Sequence, residues 1–171
     1  LPAVEQWTMN VEGKLGFLWG IGVTAGFLKE YYDTGSPSPW TAVKTLARGV
    51  GSALVHGPMV QRMTRPVRLS VRGVGSDGAY GDAPFAWGPR EFFTVTAGTI
   101  PDVGLGFKPF YRSHEPEGRG RFHLLGVTTG PLGFVAELPR IHAAKAIRPD
   151  RAKSALALEV TVKGDGPLRY M

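Results

Sequence analysis

The run Leu156-Ala157-Leu158-Glu159-Val160-Thr161-Val162-Lys163-Gly164-Asp165-Gly166 decides the fold class. Leu156, Leu158, Val160 and Val162 fall on one side of a period of two, and Glu159, Thr161 and Lys163 fall on the other. Successive strand residues point to opposite faces, so the pattern predicts a strand with one buried face. Gly164-Asp165-Gly166 supplies the turn of a hairpin, and Leu168–Met171 reads as the start of the returning strand.

The same period recurs along the chain. Trp7, Met9 and Val11 alternate with Gln6, Thr8, Asn10 and Glu12, and Val67, Leu69 and Val71 alternate with Arg68, Ser70 and Arg72. Further strands are predicted over Glu91–Ala97 and Phe122–Val127, and Leu15–Trp19 is apolar on both faces, as a central strand would be. Between them Thr24–Asp33 reads as a short helix. Ser38-Pro39 starts a second, with Trp40, Val43, Ala47, Val50 and Leu54 at helical spacing before Gly57-Pro58. The Gly- and Pro-rich stretch 73–89 and residues 101–120 read as loops, and a helix from Thr129-Gly130-Pro131 to Leu138 is broken or redirected by Pro139. The fold class predicted is mostly β with helical insertions: a two-layer antiparallel β-sandwich formed by one domain spanning residues 1–171.

Composition narrows the function. The chain has 171 residues, 43% of them apolar, enough for a core without staples, and its 24 Gly and 14 Pro suit many short strands. It has no cysteine, which excludes disulfides and thiolate chemistry and is compatible with a cytoplasmic origin. No apolar run reaches the ~18–20 residues that cross a bilayer. A chain that begins at Leu1 and stops at Met171 inside a strand reads as an excised domain. The net charge of +6 points to a polyanion partner, but the arginines are spread along the chain, which argues against nucleic acid and leaves an anionic membrane surface, phosphates or ordinary surface charge.

The motifs of common enzymes fail on context. Gly73-Val74-Gly75-Ser76-Asp77-Gly78 has dinucleotide spacing but opens no helix that could hold a pyrophosphate, and Gly20, Gly22 and Gly26 have the third glycine one residue late. His56, His114, His123 and His142 share no metal-ligand spacing. Asp77, Asp82, Asp102, Glu115 and Glu117 are loop residues with solvation as their default role, so no catalytic residue and no metal ligand is assigned.

A resemblance carries more. Leu15-Gly16-Phe17-Leu18-Trp19-Gly20-Ile21-Gly22-Val23-Thr24-Ala25-Gly26-Phe27 resembles the strand-to-helix passage in the C-terminal domain of the diacylglycerol kinase and sphingosine kinase family. Phe92-Phe93-Thr94-Val95-Thr96-Ala97-Gly98 resembles that family's strand before a glycine-rich loop, and Gly104-Leu105-Gly106-Phe107 with Pro109 resembles the loop. Glu117-Gly118 stands where the family has Asp-Gly, and Leu156–Met171 resembles its closing hairpin.

The resemblance implies that the chain is the lipid-side half of a two-domain, ATP- and Mg²⁺-dependent lipid kinase that phosphorylates a lipid hydroxyl. The nucleotide-binding N-terminal domain is missing, so this part alone is inactive and its nucleotide contacts stay unnamed. It further implies a lipid pocket lined by Phe17, Trp19, Thr24, Phe27, Leu28, Leu46, Phe93 and Phe107. Plain core packing is the competing account for each of these. Thr24 stands where the family carries an acidic residue; a hydroxyl can hydrogen-bond a headgroup but holds no cation. The alternative function is a non-catalytic lipid- or membrane-binding module, motivated by the aromatics of Phe85-Ala86-Trp87 beside a basic surface and peripheral at the membrane.

Overall fold

The computed structural model describes residues 6–25, 66–76, 82–103 and 106–165. Strands β1 (Met9–Val11) and β2 (Lys14–Gly16) form a hairpin whose turn is closed by the Asn10 side chain accepting the Gly13 N–H at 2.8 Å. A six-stranded antiparallel sheet follows, made of β3 (Leu18–Gly22), β4 (Val67–Ser76), β5 (Ala83–Phe92), β6 (Thr94–Gly98), β7 (Phe122–Val127) and β8 (Ala152–Gly164). Its order is β3-β6-β7-β8-β4-β5. Two short helices, α1 (Pro131–Val135) and α2 (Leu138–His142), connect β7 to β8.

One sheet becomes two layers because two strands serve both. The first half of β8, Ala152–Ala157, pairs with β7, and its second half, from Leu156 to Gly164, pairs with β4. Only Phe93 separates β5 from β6, yet β5 lies at one end of the sheet and β6 beside the other end. The layers are therefore β3-β6-β7-β8 and β8-β4-β5, turned onto each other at these corners, as in sandwiches whose strands switch sheets at bends. In a flat sheet β5 would sit about 14 Å from β7, three strand spacings away. Instead a Cβ placed on Gly126 of β7 would lie 2.8 Å from the Phe92 ring and 3.2 Å from that of Trp87. Glycine at 126 is what lets the layers close.

The inner face carries the main core. Ile21, Val95, Ala97, Leu124, Ala155 and Ala157 from the first layer meet Leu69, Val71, Phe85, Trp87 and Phe92 from the second, with Met9 of the hairpin. Phe92, Val71, Val95, Ala155 and Ala157 are fully buried. A second cluster lies on the opposite face of the first layer, where Phe93, Leu125, Val127 and Ala152 pack against Ile141 and Ile147 of the helical connection.

The sandwich and the strand locations follow the expectation, with five local corrections. The register of β4 and β8 slips between Val74–Glu159 and Gly75–Ala157, leaving Leu158 as the extra residue of a bulge. The slip inverts the side on which later residues point, so Val160 and Val162 join Ala155 and Ala157 on the inner face, Leu156 faces the other way, and Leu158 is half exposed. The stretch 73–89 is largely strand: β4 runs to Ser76 and β5 starts at Ala83, with Gly88 and Pro89 skipped in the register where Pro has no N–H to give. Glu91–Ala97 divides at Phe93 between two strands. Leu15–Trp19 is split between β2 and β3, and β3 ends the described sheet instead of crossing its centre. The predicted helix over 131–138 ends at Val135, and Pro139 falls in the first turn of α2, where a missing N–H is no loss. Residues 23–25 are helical; the rest of the predicted helix to Asp33, the helix from Trp40 and the return strand lie outside the described residues.

Candidate functional site

The described members of the predicted lipid pocket divide between the two faces. Phe93 is buried in the outer cluster, with its ring 5.5 Å from that of Phe134. Phe107 packs against the same cluster, its ring 4.2 Å from the His142 imidazole, and Val23 and Leu138 complete that side. Trp19 packs against the inner core on the other side of the sheet. Phe17 is 41% exposed between β2 and β3, its carbonyl accepting the Thr99 N–H at 3.0 Å. Phe27, Leu28 and Leu46 lie outside the described residues. The structure thus brings Phe93 and Phe107 together and sets Trp19 and Phe17 apart from them.

Thr24 joins the Phe93 side through a hydroxyl chain. The Thr94 hydroxyl donates to the Ile21 carbonyl at 2.6 Å, so its oxygen accepts from Thr24, 2.9 Å away. The Thr24 proton is thereby turned inward, and only its lone pairs are left for a ligand. The close approach of this segment needs Gly22: its φ is +74°, and a Cβ there would collide with the Phe93 carbonyl.

Among the described residues no set of side chains fits a nucleotide or Mg²⁺. Among the described residues no three His, Asp or Glu side chains gather as cation ligands. Gly73 and Gly75, candidates by spacing for a phosphate cradle, lie inside β4; a Cβ on Gly75 would meet the Leu156 carbonyl, so these glycines serve strand packing at the bulge. No phosphoryl-transfer step can be derived through this part of the chain. Phe85 and Trp87 are buried in β5 with their rings 5.3 Å apart, so the aromatic contact proposed for a membrane is core instead. No described helix is long and apolar enough to cross a membrane.

Two polar groups of the outer face escaped the sequence reading. His123, 1% exposed on β7, has Nε2 at 2.7 Å from the Ser154 hydroxyl, and its buried Nδ1 makes no hydrogen bond. Burial, helped by the Arg112 charge, pushes its pKa down to about 3. A lone histidine inside the apolar run Phe122–Val127 was the available signal.

Glu137, between α1 and α2, is fully buried, with Arg148 Nε at 2.7 Å, Arg151 Nη1 at 3.0 Å and Arg140 Nε at 3.6 Å. Burial works against its charge, but the Arg148 hydrogen bonds and the Arg148 and Arg151 charges hold its carboxyl below the ordinary range. It ties the helical connection to the start of β8. An acid between apolar residues, with arginines at 140, 148 and 151, was its signal.

A two-layer sandwich made from one folded-over sheet, with a helical corner on its outer face, is the class that this geometry defines. Two solved structures match the chain. A diacylglycerol kinase from Bacillus anthracis str. Sterne matches with a TM-score of 0.46 and 9% identity, over 94% of this chain and 43% of that one. A provisionally assigned diacylglycerol kinase from the same strain matches with a TM-score of 0.51 and 12% identity, over 94% of this chain and 47% of that one. At such identity the second match shows a shared fold. The chain spans less than half the length of either protein. No family profile matches the sequence, and no curated protein matches it.

Proposed function

We propose that this chain is the lipid-side domain of an ATP-dependent lipid kinase of the diacylglycerol or sphingoid type, with the nucleotide domain lying upstream. The observation that carries the reading is the fold shared with a provisionally assigned diacylglycerol kinase at a TM-score of 0.51, over nearly all of this chain and under half of that one. The outer cluster supports it chemically. Phe93, Phe107, Phe134 and Val23 form an aliphatic and aromatic wall, and the Thr24 lone pairs stand at its edge to accept a hydrogen bond from a lipid hydroxyl. ATP and Mg²⁺ belong, in this reading, to the upstream domain, and the protein works at the membrane surface from the cytoplasm.

The test is phosphoryl transfer. The native protein, including whatever precedes this chain, is given labelled ATP, Mg²⁺ and either diacylglycerol or a sphingoid base in mixed micelles. Label in the lipid fraction is expected, and Phe107→Ser should raise the lipid KM several-fold with the ATP KM unchanged. No transfer to either lipid class would overturn the catalytic reading.

A further inference from the structure

We infer that a cleft on the outer face of the first layer, lined by Tyr111, Lys145 and Ser154 over an apolar floor, binds a small phosphate-type oxyanion. The floor is Leu125, Ile141 and Ile147, and the cleft opens between β7, α2 and the segment that leads into β8. It stands on its own residues and does not depend on the kinase reading.

Among the described residues, each polar side chain that lines the cleft is a donor and no carboxylate lines it. Lys145 is exposed and, among the described residues, its ammonium has no carboxylate or hydrogen-bond partner. The Tyr111 hydroxyl likewise bonds to no described residue; burial raises its pKa, and the charges of Arg112, Glu115 and Arg140 all reach it. Ser154 is positioned from behind by His123, which is nine-tenths buried and 2.7 Å away. With the imidazole neutral and its proton on Nε2, the serine oxygen accepts that bond and the serine proton is free to point into the cleft; this tautomer is part of the inference. The nearby acids are otherwise engaged, Glu115 with Arg112 at 3.0 Å and Glu137 with its three arginines. The hydroxyls of Ser154 and Tyr111 and the unpaired Lys145 ammonium, over an apolar floor, suit an oxyanion better than a neutral ligand.

The anion is either free or carried by a lipid, and two arms separate the sources. Inorganic phosphate is titrated into the full chain by calorimetry at ~0.15 M salt, where diffuse surface attraction is screened. In parallel, phosphatidylcholine vesicles with and without phosphatidate are sedimented with it. Lys145→Ala and Ser154→Ala are compared with Lys163→Ala, a control about 30 Å along β8 from Ser154. Thermal melts confirm that each variant is folded.

Saturable phosphate binding weakened about tenfold by Lys145→Ala, less by Ser154→Ala and not by Lys163→Ala is expected of a site for the free anion. The same ranking seen only with phosphatidate vesicles identifies a lipid headgroup. Absence of binding in both arms, or equal losses for Lys145→Ala and Lys163→Ala, overturns the site and leaves only net charge.

Discussion

The two faces of the first layer carry the same strands and opposite chemistry. Inward, β6, β7 and β8 present Val95, Ala97, Leu124, Ala155 and Ala157, apolar throughout. Outward, the same strands present Thr94, Thr96, His123 and Ser154 among Leu125, Val127 and Leu156, and the cover is irregular chain with two five-residue helices. Where sheet covers sheet, apolar packing suffices. Where a loop covers sheet, its backbone and buried side chains need hydrogen-bond partners, and Glu137 accepts the Arg148 N–H there, while Thr94 and Thr96 donate to the β3 carbonyls of Ile21 and Trp19. The first face holds the fold together, and the second is where a ligand can be met.

Substitution should expose the difference. Phe92→Ala removes a fully buried ring where the two layers touch over Gly126 and should destabilise the chain by about 3–5 kcal/mol in chemical denaturation. A loss under 1 kcal/mol would mean that the layers do not close as described. Glu137→Gln leaves three partly exposed arginines without their anion and should cost about 2–4 kcal/mol, the upper range being tempered by solvent around the guanidiniums. Limited proteolysis should then cut first within 131–151, with the inner core still protected.

Acid sharpens the contrast further, because among the described residues the buried base, His123, lies on the outer face. His123 has a folded pKa near 3 against an ordinary 6.5, so between those values the unfolded chain binds the extra proton. Stability therefore rises with pH across that window and is lost as pH falls through it. From pH 7 to pH 5 this histidine should account for a loss of roughly 2 kcal/mol. Glu137 acts in the same direction but at lower pH, since its folded carboxyl sits below the ordinary carboxylate range. Unfolding of His123→Gln followed over pH 5–7 should show a flatter profile than the parent; an unchanged slope would put the titrating group elsewhere.

Much of the sheet was legible because Leu69 and Val71, or Val160 and Val162, alternate with exposed residues over several positions. The bulge was not. Leu156 and Leu158 continue the alternation in sequence, and only pairing with β4 shows that one residue is skipped between Ala157 and Glu159. Nor was β5, since Gly88 and Pro89 look like a turn until a bulge is seen to absorb them. For the candidate site, alternation could have told that Trp19 and Phe93 do not converge only if the break at Phe93 had been visible. The burial of His123 depends on Tyr111 and on Ser154, 31 residues along the chain, which local pattern does not report.

The sharing of β8 and of the β5–β6 run between layers has a further consequence for cooperativity. Neither layer owns a complete set of strands, so neither can persist as a foldon while the other opens. Local openings are left to the helical corner and the β1–β2 hairpin, and the sandwich itself melts as one unit.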